Sequence, residues 1–193
     1  MKTLIIGITG ASGIAYSVKL VSLTSLLREK YGEVYVVYTR SAEKVSMEEM
    51  GLQLSEFLKT VNGLKGVYGE DELESPLASS SRLVGADMVI VPASMNTVAK
   101  LAAGIQDNLL LRAALSILRL RGKLVIVPRE TPLTPVDLHN MFRLSIAGAV
   151  ILPASPGFYH QPRSIEDMVS FIVGKILDSL GVEHDLYRRW KTG

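Results

Sequence analysis

The chain of 193 residues contains no cysteine, which excludes disulfides, thiolate metal sites and cysteine nucleophiles at once. Histidine is scarce too: His139, His160 and His184 are scattered without ligand spacing, so no metal is expected. Neither sign of charge dominates. The balance of 21 basic against 19 acidic residues argues against a nucleic-acid surface but leaves small anionic ligands open. Long apolar runs are also missing. The first, Leu4 to Ile8, is too short for a signal peptide or a membrane span, so a cytoplasmic protein with no membrane partner is expected. No linker, repeat or low-complexity tract interrupts the chain. Its length suits one domain over residues 1–193, with a tail from about residue 182.

What is present is an alternation of short apolar runs and helical stripes. Leu4–Ile8, Met88–Val91, Leu124–Val127 and Ala149–Leu152 are apolar on both faces, as in strands of a parallel sheet covered by helices on each side. Glu33–Tyr38 reads as another strand and Gly66–Tyr68 as a short one. Helical periodicity runs from Ile14 through Val18, Val21 and Leu27 towards Gly32, over Leu109–Leu120, and over Ile165–Leu180 with Gly181 as its stop. Pro135 and Asp137 suit the first turn of a helix running to Ile146. The pattern predicts an α/β fold: a three-layer sandwich around a doubly wound, mainly parallel sheet of flavodoxin or Rossmann type.

Three of the strands end alike, in Val91-Pro92, Val127-Pro128 and Leu152-Pro153. Proline cannot continue a central ladder, so each marks a strand's carboxyl end. The residues that follow therefore converge on the sheet edge where open α/β folds bind ligands. They are Ala93-Ser94-Met95-Asn96-Thr97, Arg129-Glu130-Thr131 and Ala154 to Tyr159.

The first strand runs into Gly7-Ile8-Thr9-Gly10-Ala11-Ser12-Gly13, whose glycines allow a sharp turn and a close approach to an anion. A plain glycine turn is the simpler reading. The spacing is neither Gly-x-Gly-x-x-Gly nor a P-loop, and a short-chain dehydrogenase's Tyr-x-x-x-Lys occurs only as Tyr187 and Lys191, at the extreme end. Ser94 to Thr97 could bracket a phosphate or a heterocycle edge, or Ser94 could simply cap a helix. Arg129 and Glu130 could be a surface ion pair. Tyr159 with Lys175 is a sensible anion clamp, and equally an ordinary buried tyrosine beside a solvated lysine. Trp190, the only tryptophan, sits in a charged tail and hints at packing on a neighbouring copy.

Together with Asp107–Ala114, Pro128–Leu133 and Pro156-Gly157-Phe158-Tyr159-His160-Gln161-Pro162, these blocks resemble the UbiX/Pad family of flavin prenyltransferases along nearly the whole chain. The resemblance implies a metal-free transferase that joins a dimethylallyl group, from dimethylallyl phosphate, to N5 and C6 of reduced FMN. Its product would serve a UbiD-type decarboxylase, and the enzyme would be a homododecamer with FMN between subunits. It further implies that Gly10, Ala11, Ser12, Thr39, Ser94, Met95, Asn96, Thr97 and Arg129 bind FMN. Arg112, Arg119, Glu130, Tyr159, Lys175 and Trp190 would meet the prenyl phosphate, and Ser12, Glu49, Glu130 and Tyr159 would be catalytic. Ser12 is expected both to face the flavin and to cap the first helix. Arg119 stands where some relatives carry lysine, and Thr39 where serine is usual. Two other flavin functions compete: a cysteine decarboxylase of the phosphopantothenoylcysteine type, and a non-catalytic FMN carrier.

Overall fold

The computed structural model describes residues 2–190. Six parallel strands form one sheet: β1 (Thr3–Ile8), β2 (Glu33–Tyr38), β3 (Gly66–Gly69), β4 (Asp87–Ala93), β5 (Leu124–Pro128) and β6 (Val150–Ile151). Their order is β3-β2-β1-β4-β5-β6, the Rossmann rather than the flavodoxin winding. The central strands are buried from end to end, as their unbroken apolar runs require. β6 is shorter than the run Ala149–Leu152 suggests.

The helices are α1 (Ile14–Ser22), α2 (Thr24–Lys30), α3 (Arg40–Met50), α4 (Leu54–Thr60), α5 (Met95–Ala102), α6 (Leu109–Arg119), α7 (Pro135–Ile146) and α8 (Ile165–Leu180). Alternate residues of each strand feed two cores. Leu4, Ile6, Ile8, Val36 and Val125 face α1, α2, α4 and α8. Ile5, Val37, Ile90 and Ile126 face α5, α6 and α7. Three layers result, as the alternation predicts.

The helical stripe after Ile14 is two helices, not one. The Thr24 hydroxyl donates back to the Val21 carbonyl at 2.5 Å and the chain bends at Leu23. Both later helices start as expected, with reciprocal caps: Thr134 with Asp137 on α7, and Ser164 with Asp167 on α8. Gly181 ends α8 in the left-handed region at φ 69°. Pro92 lies within β4 rather than after it, where the β4–β5 register shifts between Ile90 and Ala93. Among the described residues no helix is long and apolar enough to cross a membrane, and no group of three or more His, Asp or Glu side chains could hold a metal ion.

Candidate functional site

The winding reverses between β1 and β4, so their carboxyl ends open a crevice at the switch point. Thr9 bridges it. Its buried hydroxyl donates to the Pro92 carbonyl at 2.8 Å and accepts the Ser94 amide at 2.8 Å. Ser94 then caps α5, its oxygen accepting the Thr97 amide at 3.2 Å and lying 3.0 Å from the Thr97 hydroxyl. The first-turn amides of Met95 and Asn96 have no carbonyl below them within the helix. They face the crevice end with a partial positive charge.

The glycine loop after β1 lies against the start of α3. A Cβ on Gly10 would stand 2.4 Å from the Ser41 Cβ and 2.9 Å from its backbone carbon, so no side chain fits there. Thr39 caps α3, accepting the Ala42 amide at 3.1 Å. Ala11 is buried and Ser12 exposed.

The cap of α1 differs from expectation. Gly13, at φ 107°, is its N-cap, and the Ser12 side chain does not cap the helix. The anion at this helix start is the Glu49 carboxylate, reaching across from α3 to accept the Gly13 amide at 3.0 Å and the Ile14 amide at 3.0 Å. Ser12 instead offers its carbonyl to Arg129 Nε at 3.2 Å. That bond draws the end of β5 over the first loop and leaves the Ser12 hydroxyl free.

Arg129 and Glu130 do not pair with each other: Glu130 Oε1 accepts the Thr131 amide at 3.0 Å. Both line a cavity of about 320 Å³ at the carboxyl ends of β5 and β6, with Thr131, Leu133, Pro153 and Ser155. One contributor was not visible in the sequence. The Tyr16 ring lies against Gly13, 2.8 Å from where a Cβ would sit. Burial pushes its hydroxyl pKa up against the pull of Arg129, and Glu49 raises it further. Its spacing of three from Gly13, on the first turn of α1, is the only sequence signal for it.

A second cluster surrounds Tyr159. Its ring meets Trp190 edge-on at 5.3 Å and Phe171 at 5.8 Å. Lys175, on α8, belongs to the same cluster. Its Nζ lies 5.4 Å from the Phe171 ring and 4.9 Å from that of Tyr187. Trp190 packs on its own chain while remaining 71% exposed. Lys191, of the terminal Tyr-x-x-x-Lys pair, lies outside the described residues, as does the end of the tail.

Two predicted residues lie on α6. Arg112, in the first turn of α6, donates from Nε to the Ala78 carbonyl at 2.8 Å. Arg119 ends the same helix, which descends from the carboxyl edge of the sheet towards the start of β5, so it lies near the opposite edge from Arg129. Both are exposed.

The crevice can therefore hold a phosphorylated, flat ligand. It offers a loop with no room for a side chain at Gly10, two helix caps with free amides or hydroxyls, and a half-buried arginine beside a cavity.

Comparison with known proteins agrees. The Flavoprotein family model matches residues 1–177. The flavin prenyltransferase UbiX of Alkalihalophilus pseudofirmus is 47% identical, covering 98% of this chain and 96% of its own. A crystal structure of AnUbiX in complex with FMN and dimethylallyl pyrophosphate superposes with a TM-score of 0.90 at 32% identity, covering 100% of this chain and 98% of that one. A dodecameric FMN-dependent UbiX-like decarboxylase from Escherichia coli O157:H7 gives 0.89 at 33% identity, covering 98% and 99%.

Proposed function

The chain belongs to the UbiX family of flavin prenyltransferases, and from that premise we propose that it joins a dimethylallyl group from dimethylallyl phosphate to N5 and C6 of reduced FMN. The observation that carries this reading is the switch-point crevice itself. Thr9, Ser94, Arg129 and the Gly10 cradle meet there beside a cavity of about 320 Å³.

FMN fits that crevice, with Gly10 to Ser12, Thr39, Ser94 to Thr97 and Arg129 holding it. Bound and reduced, it supplies an electron-rich ring able to accept an allylic carbon. The rest of the chemistry falls to the chain. Cleaving the bond between the allylic carbon and the phosphate leaves a cation beside a departing dianion. Tyr159, Lys175 and an arginine are suited to stabilise that dianion. Glu130, exposed at the rim of the cavity, is suited to take a proton, and the released phosphate is an alternative acceptor. Glu49 orients the first loop by fixing the amides of Gly13 and Ile14. Holding donor and acceptor together supplies the entropic part of the rate.

Arg119, near the opposite edge of the sheet, would meet a donor site only across a neighbouring copy, which supports an oligomer. So does the exposed apolar stripe Leu138, Phe142 and Ile146 along α7, beside the edge strand β6. A dodecamer, like that of the E. coli relative, is the assembly we propose.

Delivery to a UbiD-type decarboxylase is the expected fate of the product. Flavin released from this enzyme after reaction should activate such a decarboxylase purified without its cofactor. Activation by FMN alone to the same level would overturn the assignment.

A further inference from the structure

Beyond the switch-point crevice, three side chains of the C-terminal segment converge on one carboxylate of α8. Asp178 Oδ2 accepts the Tyr187 hydroxyl at 2.5 Å. Its Oδ1 accepts Arg189 at 2.7 Å and lies 3.1 Å from His184 Nε2. His184 Nδ1 accepts the Leu186 amide at 3.1 Å, so its proton sits on Nε2 and is donated to Asp178. The side chain of His184 is 1% exposed, so this is a built joint and not a loose surface pairing. Gly174, one turn before Asp178, completes it: a Cβ there would stand 2.5 Å from the Tyr187 ring. The segment therefore lies flat on α8 and ends with Trp190 against Tyr159 at 5.3 Å. Tyr159, Arg188, Arg189 and Trp190 enclose a cavity of about 150 Å³.

We propose that Asp178 is a positioning residue: it straps residues 182–190 onto α8 and so holds Trp190 over Tyr159, forming the wall of the donor pocket. Its role in donor binding rests on the prenyltransferase reading above; the strap itself does not. Asp178 touches neither flavin nor donor in this account and acts only through Tyr187, Arg189 and His184. Three donors sharing one acceptor also make the strap cooperative, because losing the carboxylate releases all of them together.

Trp190 is the only tryptophan, so its emission reports the strap directly. Time-resolved fluorescence anisotropy on the full chain with FMN bound should show one slow decay for the native enzyme. Asp178→Asn, and more mildly Tyr187→Phe, should add a fast nanosecond component of local tail motion. In the same variants the KM for dimethylallyl phosphate should rise about tenfold while FMN affinity stays within about twofold. An unchanged decay in both variants overturns the strap, and FMN affinity falling as far as donor affinity overturns its specific link to the donor pocket. Should the native enzyme add no prenyl group, the reading of the pocket fails, whereas the anisotropy still decides the strap.

Discussion

The Ser94 amide donates to the Thr9 hydroxyl at 2.8 Å, joining the ends of β1 and β4 across the point where the sheet's winding reverses. The same hydroxyl donates to the Pro92 carbonyl, so one buried side chain holds both lips of the crevice. Thr9→Val keeps the shape and removes both bonds, leaving the Ser94 amide without its partner while the Pro92 carbonyl keeps the Thr9 amide at 3.3 Å. We expect a loss of about 2 kcal/mol of stability and FMN affinity weaker by about tenfold. Thr9→Ser should restore most of both. Denaturant unfolding and flavin fluorescence titration measure the two effects.

Gly10→Ala tests the close approach of the first loop to α3. The added methyl group would meet Ser41 at 2.4 Å, against a helix start already fixed by the Thr39 cap. The backbone must yield, at a cost of about 1–3 kcal/mol. FMN binding should suffer more than the thermal midpoint, because the strain falls on the cradle. Gly10→Ala combined with Ser41→Gly should recover part of the binding.

The sequence made some of this visible and hid the rest for physical reasons. Apolar runs bounded by proline revealed the central strands and the edge at which the ligand residues gather. Pro135 with Asp137 marked the start of α7, and Gly181 the end of α8. α3 stayed hidden because only Ala42 and Ser46 of it are buried, and two small residues leave no apolar stripe to read. The break at Leu23 depends on a single hydroxyl turning back on its own helix. Glu49 was legible as an acid by resemblance, but its position on the Gly13 and Ile14 amides comes from packing between helices 35 and 36 residues apart in the chain. The Asp178 joint involves tail residues whose spacing follows no helical or strand period.

Glu49 separates a capping role from a chemical one. Glu49→Ala frees the two amides and should cost about 1 kcal/mol, the usual worth of a cap. Glu49→Gln retains an acceptor oxygen and should keep nearly all of that stability. If the negative charge serves the reaction, both variants lose at least about tenfold in single-turnover prenyl transfer. Full activity in Glu49→Gln would reduce Glu49 to a cap.

Asp87 governs an acid-sensitive joint at the opposite edge of the sheet. It accepts the Tyr31 hydroxyl at 2.8 Å and the Lys123 amide at 3.0 Å, and pairs with Lys2 at 2.7 Å. Burial alone would raise its pKa, but Lys2, Tyr31 and the Lys123 amide outweigh that and hold it below the ordinary 3.8. The unfolded chain therefore takes up the proton first as the pH falls. Stability is full above the unfolded value and declines as the pH drops through 3.8 towards the folded pKa. Asp87→Asn should lower stability at neutral pH by about 2 kcal/mol and flatten this decline. Asp178, held low by its own partners against burial, should leave a residual slope. Urea unfolding at a series of acidic pH values checks both.

The most direct test of the account is the mass of the flavin after reaction. Incubated without oxygen with reduced FMN and dimethylallyl phosphate, the enzyme should yield flavin heavier by one five-carbon prenyl unit. Tyr159→Phe and Glu130→Gln should slow its appearance. Flavin recovered at the mass of FMN alone, from enzyme that demonstrably binds FMN, would contradict the account.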